Sequence, residues 1–163
     1  MNQVRRFHDI LLLIGQLNYT WTNTESLLIY LIAGLARVDK ETAIVIFLTL
    51  NTTRARIEMV ERLAKLRRTP QAARREVLAM TDRLAQQAKL RNKYSHCIYS
   101  FDEVNKSMNT QLMRIFDAKE EIKYGKIEAL DDQEITKVQK CIKDISYTNV
   151  AIWNFVRENN YPH

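Results

Sequence analysis

The chain has 163 residues, 46% hydrophobic and 27% charged, with only three Gly and two Pro. That length holds one core of ordinary size, and the composition excludes disordered, collagen-like and turn-rich all-β chains. The net charge of +6 is concentrated, since residues 54–93 hold twelve Lys or Arg against four Asp or Glu and the remainder holds thirteen against fifteen.

In chain order, the first helical period covers residues 4–37, with Ile14, Trp21, Leu28, Ile32 and Leu35 as its apolar stripe and Glu25 inside that stripe, one turn beyond Trp21. The apolar run at its start is short and no small-x-small cleavage site follows, so it reads as helix and not as a signal peptide. A second helix is expected after Asp39, a good N-cap, and continues to about residue 68. It places Arg54 on the same stripe as Phe47 and Leu50. Thr69 as N-cap and Pro70 at the first helical position then open a third helix, which runs to about residue 96. A fourth starts at Asp131, where Asp131 and Glu134 have capping-box spacing and Leu130 and Ile135 the spacing of a staple. It ends near residue 159. Between the third and fourth helices, residues 97–101, 111–116 and 121–127 lean to β, with turns expected at 105–109 and 117–119. The expected fold is all-α: an up-and-down four-helix bundle in one domain, 1–163, with a small β-hairpin or three-stranded flap at 97–130 inserted between helices 3 and 4. The apolar stretches 27–36 and 43–50 are too short to span a bilayer. Cys97 and Cys141 form no CxxC pair, which points to a reducing compartment. A cytoplasmic protein with no membrane partner is therefore expected.

Helix three carries an anomaly. At 100° per residue with Arg91 at zero, Val77, Leu84 and Ala88 fall at about 40°, 20° and 60°. Arg91, Asn92, Ser95 and His96 fall at about 0°, 100°, 40° and 140°, so polar residues continue the apolar stripe. Buried Arg, Asn and His are costly unless paired, so a polar groove, a ligand or a second subunit should face them. Glu25 and Arg54 complete a plausible polar cluster with them, although for these two a structural ion pair, Glu25 with Arg54 or with Arg91, is the plainer account.

Residues 91–96 read Arg-Asn-Lys-Tyr-Ser-His. An Arg followed five residues later by His is common by chance. Asn directly after the Arg, at the end of the third helix, makes the pattern specific. Here the chain resembles the HEPN superfamily (higher eukaryote and prokaryote nucleotide-binding), whose signature is Arg-x(4–6)-His, often with Asn after Arg. Trp21 and Glu25 in the first helix also look like the family. The likeness covers the helical framework and not residues 97–130. Cys97 stands where the family often has Gly.

The resemblance implies a metal-independent endoribonuclease of the toxin or defence type, needing no cofactor, in which two subunits pack so that both motifs line one cleft. Arg91, Asn92 and His96 are then the catalytic residues, with Glu25, Arg54 and Ser95 in support. The partners implied are RNA, a second copy of the chain and an antitoxin protein. The residue types suit the chemistry. RNA carries its own nucleophile, the 2′-OH, and imidazole can take or give a proton near neutral pH. A guanidinium holds phosphate oxygens with fixed geometry and permanent charge. The basic segment suits a phosphate-bearing partner, although such charge runs are as often solvated helix faces. The alternatives are a non-catalytic bundle of this type that binds nucleotide, RNA or a protein partner, and a structural dimer in which Arg91 and His96 pair with Glu25. No Walker A, GxGxxG, HExxH or GxSxG motif is present.

Overall fold

The structure, a computed structural model, describes residues 3–102, 104 and 107–163, with side chains from residue 7 onward. Six helices and five strands are present among these residues: α1 (Gln3–Glu25), α2 (Leu28–Ala36), α3 (Lys40–Thr49), α4 (Thr53–Ala64), α5 (Gln71–Ser95), β1 (Cys97–Asp102), β2 (Ser107–Leu112), β3 (Ile115–Asp117), β4 (Ile122–Tyr124), β5 (Ile127–Ala129) and α6 (Asp132–Glu158). The expected all-α four-helix bundle is therefore wrong. The fold is mostly helical but has six helices, and the insertion is larger than a hairpin.

The correction has local causes. The first expected helix breaks after Glu25. The Ser26 hydroxyl donates to the Asn23 carbonyl at 2.9 Å, the acceptor that the Leu27 N–H would use in an α-helix. Leu27 N–H turns instead to Thr24 O at 3.1 Å, and Ile29 and Tyr30 also bond three residues back. A side-chain hydroxyl competing with the helical ladder has tightened one turn. The second expected helix breaks at Leu50, whose backbone is extended. Thr52 then caps α4, its hydroxyl accepting from Ala55 N. The third begins as α5 with Pro70 as N-cap, because Arg74 N–H donates to Pro70 O at 3.0 Å. The Thr69 hydroxyl does not cap it and donates to Leu63 O instead. Asp131 caps α6 as read, accepting from Glu134 N at 2.9 Å.

By their contacts the residues fall into two compact units, Met1–Tyr19 with Lys89–Ile142, and Thr20–Ala88 with Lys143–His163. The larger unit holds α2, α3, α4 and most of α5 and α6, and Trp21, Leu28, Ile32, Val60, Val77, Ile145 and Ile152 are fully buried in it. The ends of α2 and α6 in it are closed by left-handed caps. Arg37 (φ 60) ends α2 with Val38 N–H on Ala33 O, and Asn160 (φ 51) follows α6 with Tyr161 N–H on Val156 O.

The smaller unit holds the strands. β1, β2 and β5 form one antiparallel sheet in the order β1-β2-β5, with Cys97 opposite Leu112 and Gln111 opposite Ile127. β3 and β4 form a separate two-stranded ribbon, with Ile115 opposite Tyr124. Two of the expected strand segments are each split, at Met113–Arg114 and at Gly125–Lys126. Arg114 N–H donates to Leu112 O at 2.8 Å, a tight turn, and Gly125 N–H donates to Arg114 O at 2.8 Å. A Cβ on Gly125 would stand 1.9 Å from Leu112 O, so only glycine lets the two backbones cross here. Of the turn expected at 105–109, Ser107, Met108 and Asn109 are strand, and residues 105 and 106 lie outside the described residues. Among the described residues no helix is long and apolar enough to cross a membrane.

Candidate functional site

The motif closes α5 and enters β1, all within the smaller unit. The buried residues of α5 include Val77, Met80, Leu84, Gln87 and Ala88, an arc centred at about 10° on the wheel used above. Arg91 and Ser95 continue that arc and are half-buried. Asn92 and His96 lie past its edge and are exposed. The expectation that all four continue the apolar stripe thus fits Arg91 and Ser95, and does not fit Asn92 and His96. Tyr94 takes the core position of the last turn, 1% exposed.

Each motif side chain has a distinct setting. Arg91 Nη1 donates to Asn92 Oδ1 at 3.0 Å, which leaves the Asn92 amide NH2 as the group it offers outward. Ser95 Oγ donates to Asn18 Oδ1 at 2.6 Å, tying the motif to α1. The His96 carbonyl accepts Met113 N–H at 2.9 Å. That bond fixes the β2–β3 kink beside the motif and brings Arg114 to it. A groove of about 380 Å³ results, lined by Lys89, Asn92, Lys93, His96, Leu112, Met113 and Arg114. Lys89, Asn92, Lys93 and His96 follow helical spacing i, i+3, i+4, i+7, so one face of α5 carries them. Lys89 was legible from that spacing. Arg114 was not, because its place depends on strand pairing.

Behind the groove a second cluster holds the flap in place. Lys93 Nζ pairs with Glu128 of β5 at 2.7 Å and Glu134 of α6 at 2.9 Å, and the Tyr94 hydroxyl donates to the same Glu134. Desolvation opposes the Lys93 charge, but hydrogen bonds to Glu128 and Glu134 outweigh it and push its pKa up. Hydrogen bonds from Lys137, then Tyr94 and Lys93, bring the Glu134 carboxyl down to about 2. Lys93 therefore neutralises two carboxylates and is not a spare cation. Burial pushes the Cys97 thiol up, and the thiol donates to Lys93 O at 2.7 Å. These are not the surroundings of a reactive nucleophile.

Glu25 and Arg54, expected to join this cluster, belong to the other unit. Glu25 lies in the stripe as read and is buried, but its partners are the Thr53 hydroxyl at 2.5 Å and Arg56 at 3.4 Å. Arg54 pairs with Glu58 on the surface, its side chain 89% exposed. Neither expected pair, Glu25 with Arg54 or with Arg91, is what satisfies Glu25. The break at residues 50–52 resets the helical phase, so Arg56 and not Arg54 faces the buried carboxylate. Arg56 also donates to Phe47 O and Leu50 O, Arg68 to Leu35 O and Ala36 O, and Arg74 to Ala64 O, Leu66 O and Thr69 O. These arginines close helix ends, so part of the basic segment is structural. Among the described residues no three His, Cys, Asp or Glu side chains gather as metal ligands would. No known protein family, curated protein or solved structure matches the chain.

Proposed function

We propose that the chain is a metal-independent endoribonuclease of the HEPN toxin or defence type, acting on RNA as a homodimer. The observation that carries this reading is the groove in which His96 and Asn92 stand beside Lys89 and Arg114. A proton-transfer group, an amide donor and two cations around one concave surface suit a phosphodiester. In the reaction, the RNA 2′-oxygen bonds to the adjacent phosphorus as its proton leaves to a base. The bond from phosphorus to the 5′-oxygen breaks and that oxygen takes a proton from an acid. The products are a 2′,3′-cyclic phosphate and a 5′-hydroxyl. One imidazole cannot be base and acid in the same step, and a dimer supplies a second His96. Arg91, held on Asn92, orients the amide and adds positive charge for the phosphorane. A toxin of this type needs restraint in the cell that makes it, and an antitoxin protein is the partner that supplies it.

The test is incubation of the purified protein with end-labelled mixed-sequence RNA in EDTA. Wild type is expected to cleave, and His96→Ala to lose roughly 100-fold or more of that rate. A folded, dimeric wild type that leaves the RNA intact refutes the proposal.

A further inference from the structure

Resting on that reading, we infer that the β-flap forms part of the RNA track: Arg114 grips the phosphate next to His96, and the adjoining pocket walled by Phe116 and Lys126 takes the unpaired base of the neighbouring nucleotide. Two cavities of about 380 Å³ each lie on the flap. One is the His96 groove, and the other is lined by Lys93, Cys97, Thr110, Leu112, Phe116, Lys126 and Glu128. They share Lys93 and Leu112 as a common wall. Arg114 belongs to the first and Phe116 to the second, and the Arg114 guanidinium lies 4.8 Å from the Phe116 ring centroid. The two are alternate residues leaving one kink, so they share a face of the β3–β4 ribbon.

The chemistry differs between the two cavities in the way a nucleotide does. The first offers cations and donors, which suit phosphate. The second offers Phe116, 45% exposed, and an aliphatic wall at Leu112, which suit the face of a base. Its one carboxylate, Glu128, is already paired with Lys93, so it does not repel the strand. All six residues of the β3–β4 ribbon are exposed, so packing does not account for Phe116. A base stacked within a duplex cannot enter such a pocket, so the track selects single-stranded RNA.

The experiment uses a single-stranded 2′-O-methyl RNA oligonucleotide, whose blocked nucleophile separates binding from cleavage, with the same sequence as a duplex for comparison. Fluorescence anisotropy is expected to show tighter binding of the single strand. Arg114→Ala should weaken binding and reduce the slope of log K against log salt by about one. Phe116→Ala should weaken it roughly 5-fold or more with the slope unchanged. Phe116→Trp keeps a stacking ring, so it should bind and lose indole fluorescence on binding. Wild-type affinity in Phe116→Ala, no quenching in a folded Phe116→Trp, or equal binding of the duplex overturns the track. Binding that depends on Phe116 in a protein that leaves unmodified RNA uncut supports the track and refutes the nuclease. A wild type that cleaves RNA with Phe116→Ala binding unaltered refutes the track alone.

Discussion

Glu25 is buried, and its charge is balanced by Arg56 and by the Thr53 hydroxyl. Removing Arg56 leaves a carboxylate in apolar surroundings and frees the carbonyls of Phe47 and Leu50. Arg56→Ala is therefore expected to lower stability by on the order of 2–3 kcal/mol, read as a drop in urea midpoint. Arg54→Ala, two residues away and solvated, should leave the midpoint where it is. Gly34 carries a prediction of opposite sign to the usual rule. In an open helix, Ala in place of Gly gains about 1 kcal/mol. At Gly34 the new Cβ would lie 2.0 Å from the Tyr161 ring, which packs edge-on against Phe155 at 5.5 Å. Gly34→Ala should thus melt lower than wild type. The same two arginines show where the residue scale was legible. That Glu25 needed a cation was readable from its place in the stripe. Which cation it takes depended on a break in helical phase that hydrophobic periodicity did not reveal.

Among the elements, the helical breaks and the flap are where local rules competed. Thr52 caps α4 through its hydroxyl, and Thr52→Ala is expected to cost about 1 kcal/mol. The flap is held to α5 and α6 by the Lys93, Glu128, Glu134 and Tyr94 cluster, which gives it a pH dependence. The Glu134 carboxyl is depressed from 4.5 to about 2 in the folded chain. A depressed carboxyl contributes stability that is complete above its ordinary value and is lost as pH falls through the folded one. Amide protection in β5 should accordingly weaken between about pH 4.5 and pH 2. Glu134→Gln should have lower protection at neutral pH and a flatter acid limb, both measurable by hydrogen exchange. The existence of the β segments was legible from their composition. Their division into a three-stranded sheet and a separate ribbon was not, because the kink rests on Gly125 passing close to the Leu112 carbonyl.

For the molecule as a whole, the net charge of +6 overstates the surface free to meet the RNA proposed as its substrate. Of the twelve central cations, Arg56, Arg68 and Arg74 hold helix carbonyls. Arg54, Arg62 and Lys65 pair one turn away along α4, and Lys93 pairs with two carboxylates. The cations at the two flap cavities that remain are Lys89, Arg114 and Lys126. About three phosphate contacts imply a slope of log K against log salt near −2 for single-stranded RNA. A slope several units steeper would mean that the whole basic segment binds, against this account.

The sequence by itself determined the helical content, the buried stripes of α1, α2 and α5, the Asp131 cap and the position of the motif at the end of α5. All of these follow from interactions within a few residues, which periodicity and capping rules describe. Only the tertiary structure decided that His96 faces outward into a groove, that Arg114 stands beside it, and that the central arginines close helix ends. Those outcomes depend on strand register and on which carbonyls lie within reach of a long side chain. Strand register and the Arg68 contacts join segments well apart in the chain, and Arg56 and Arg74 reach back five to ten residues across a break between helices, which neither helical nor strand period describes.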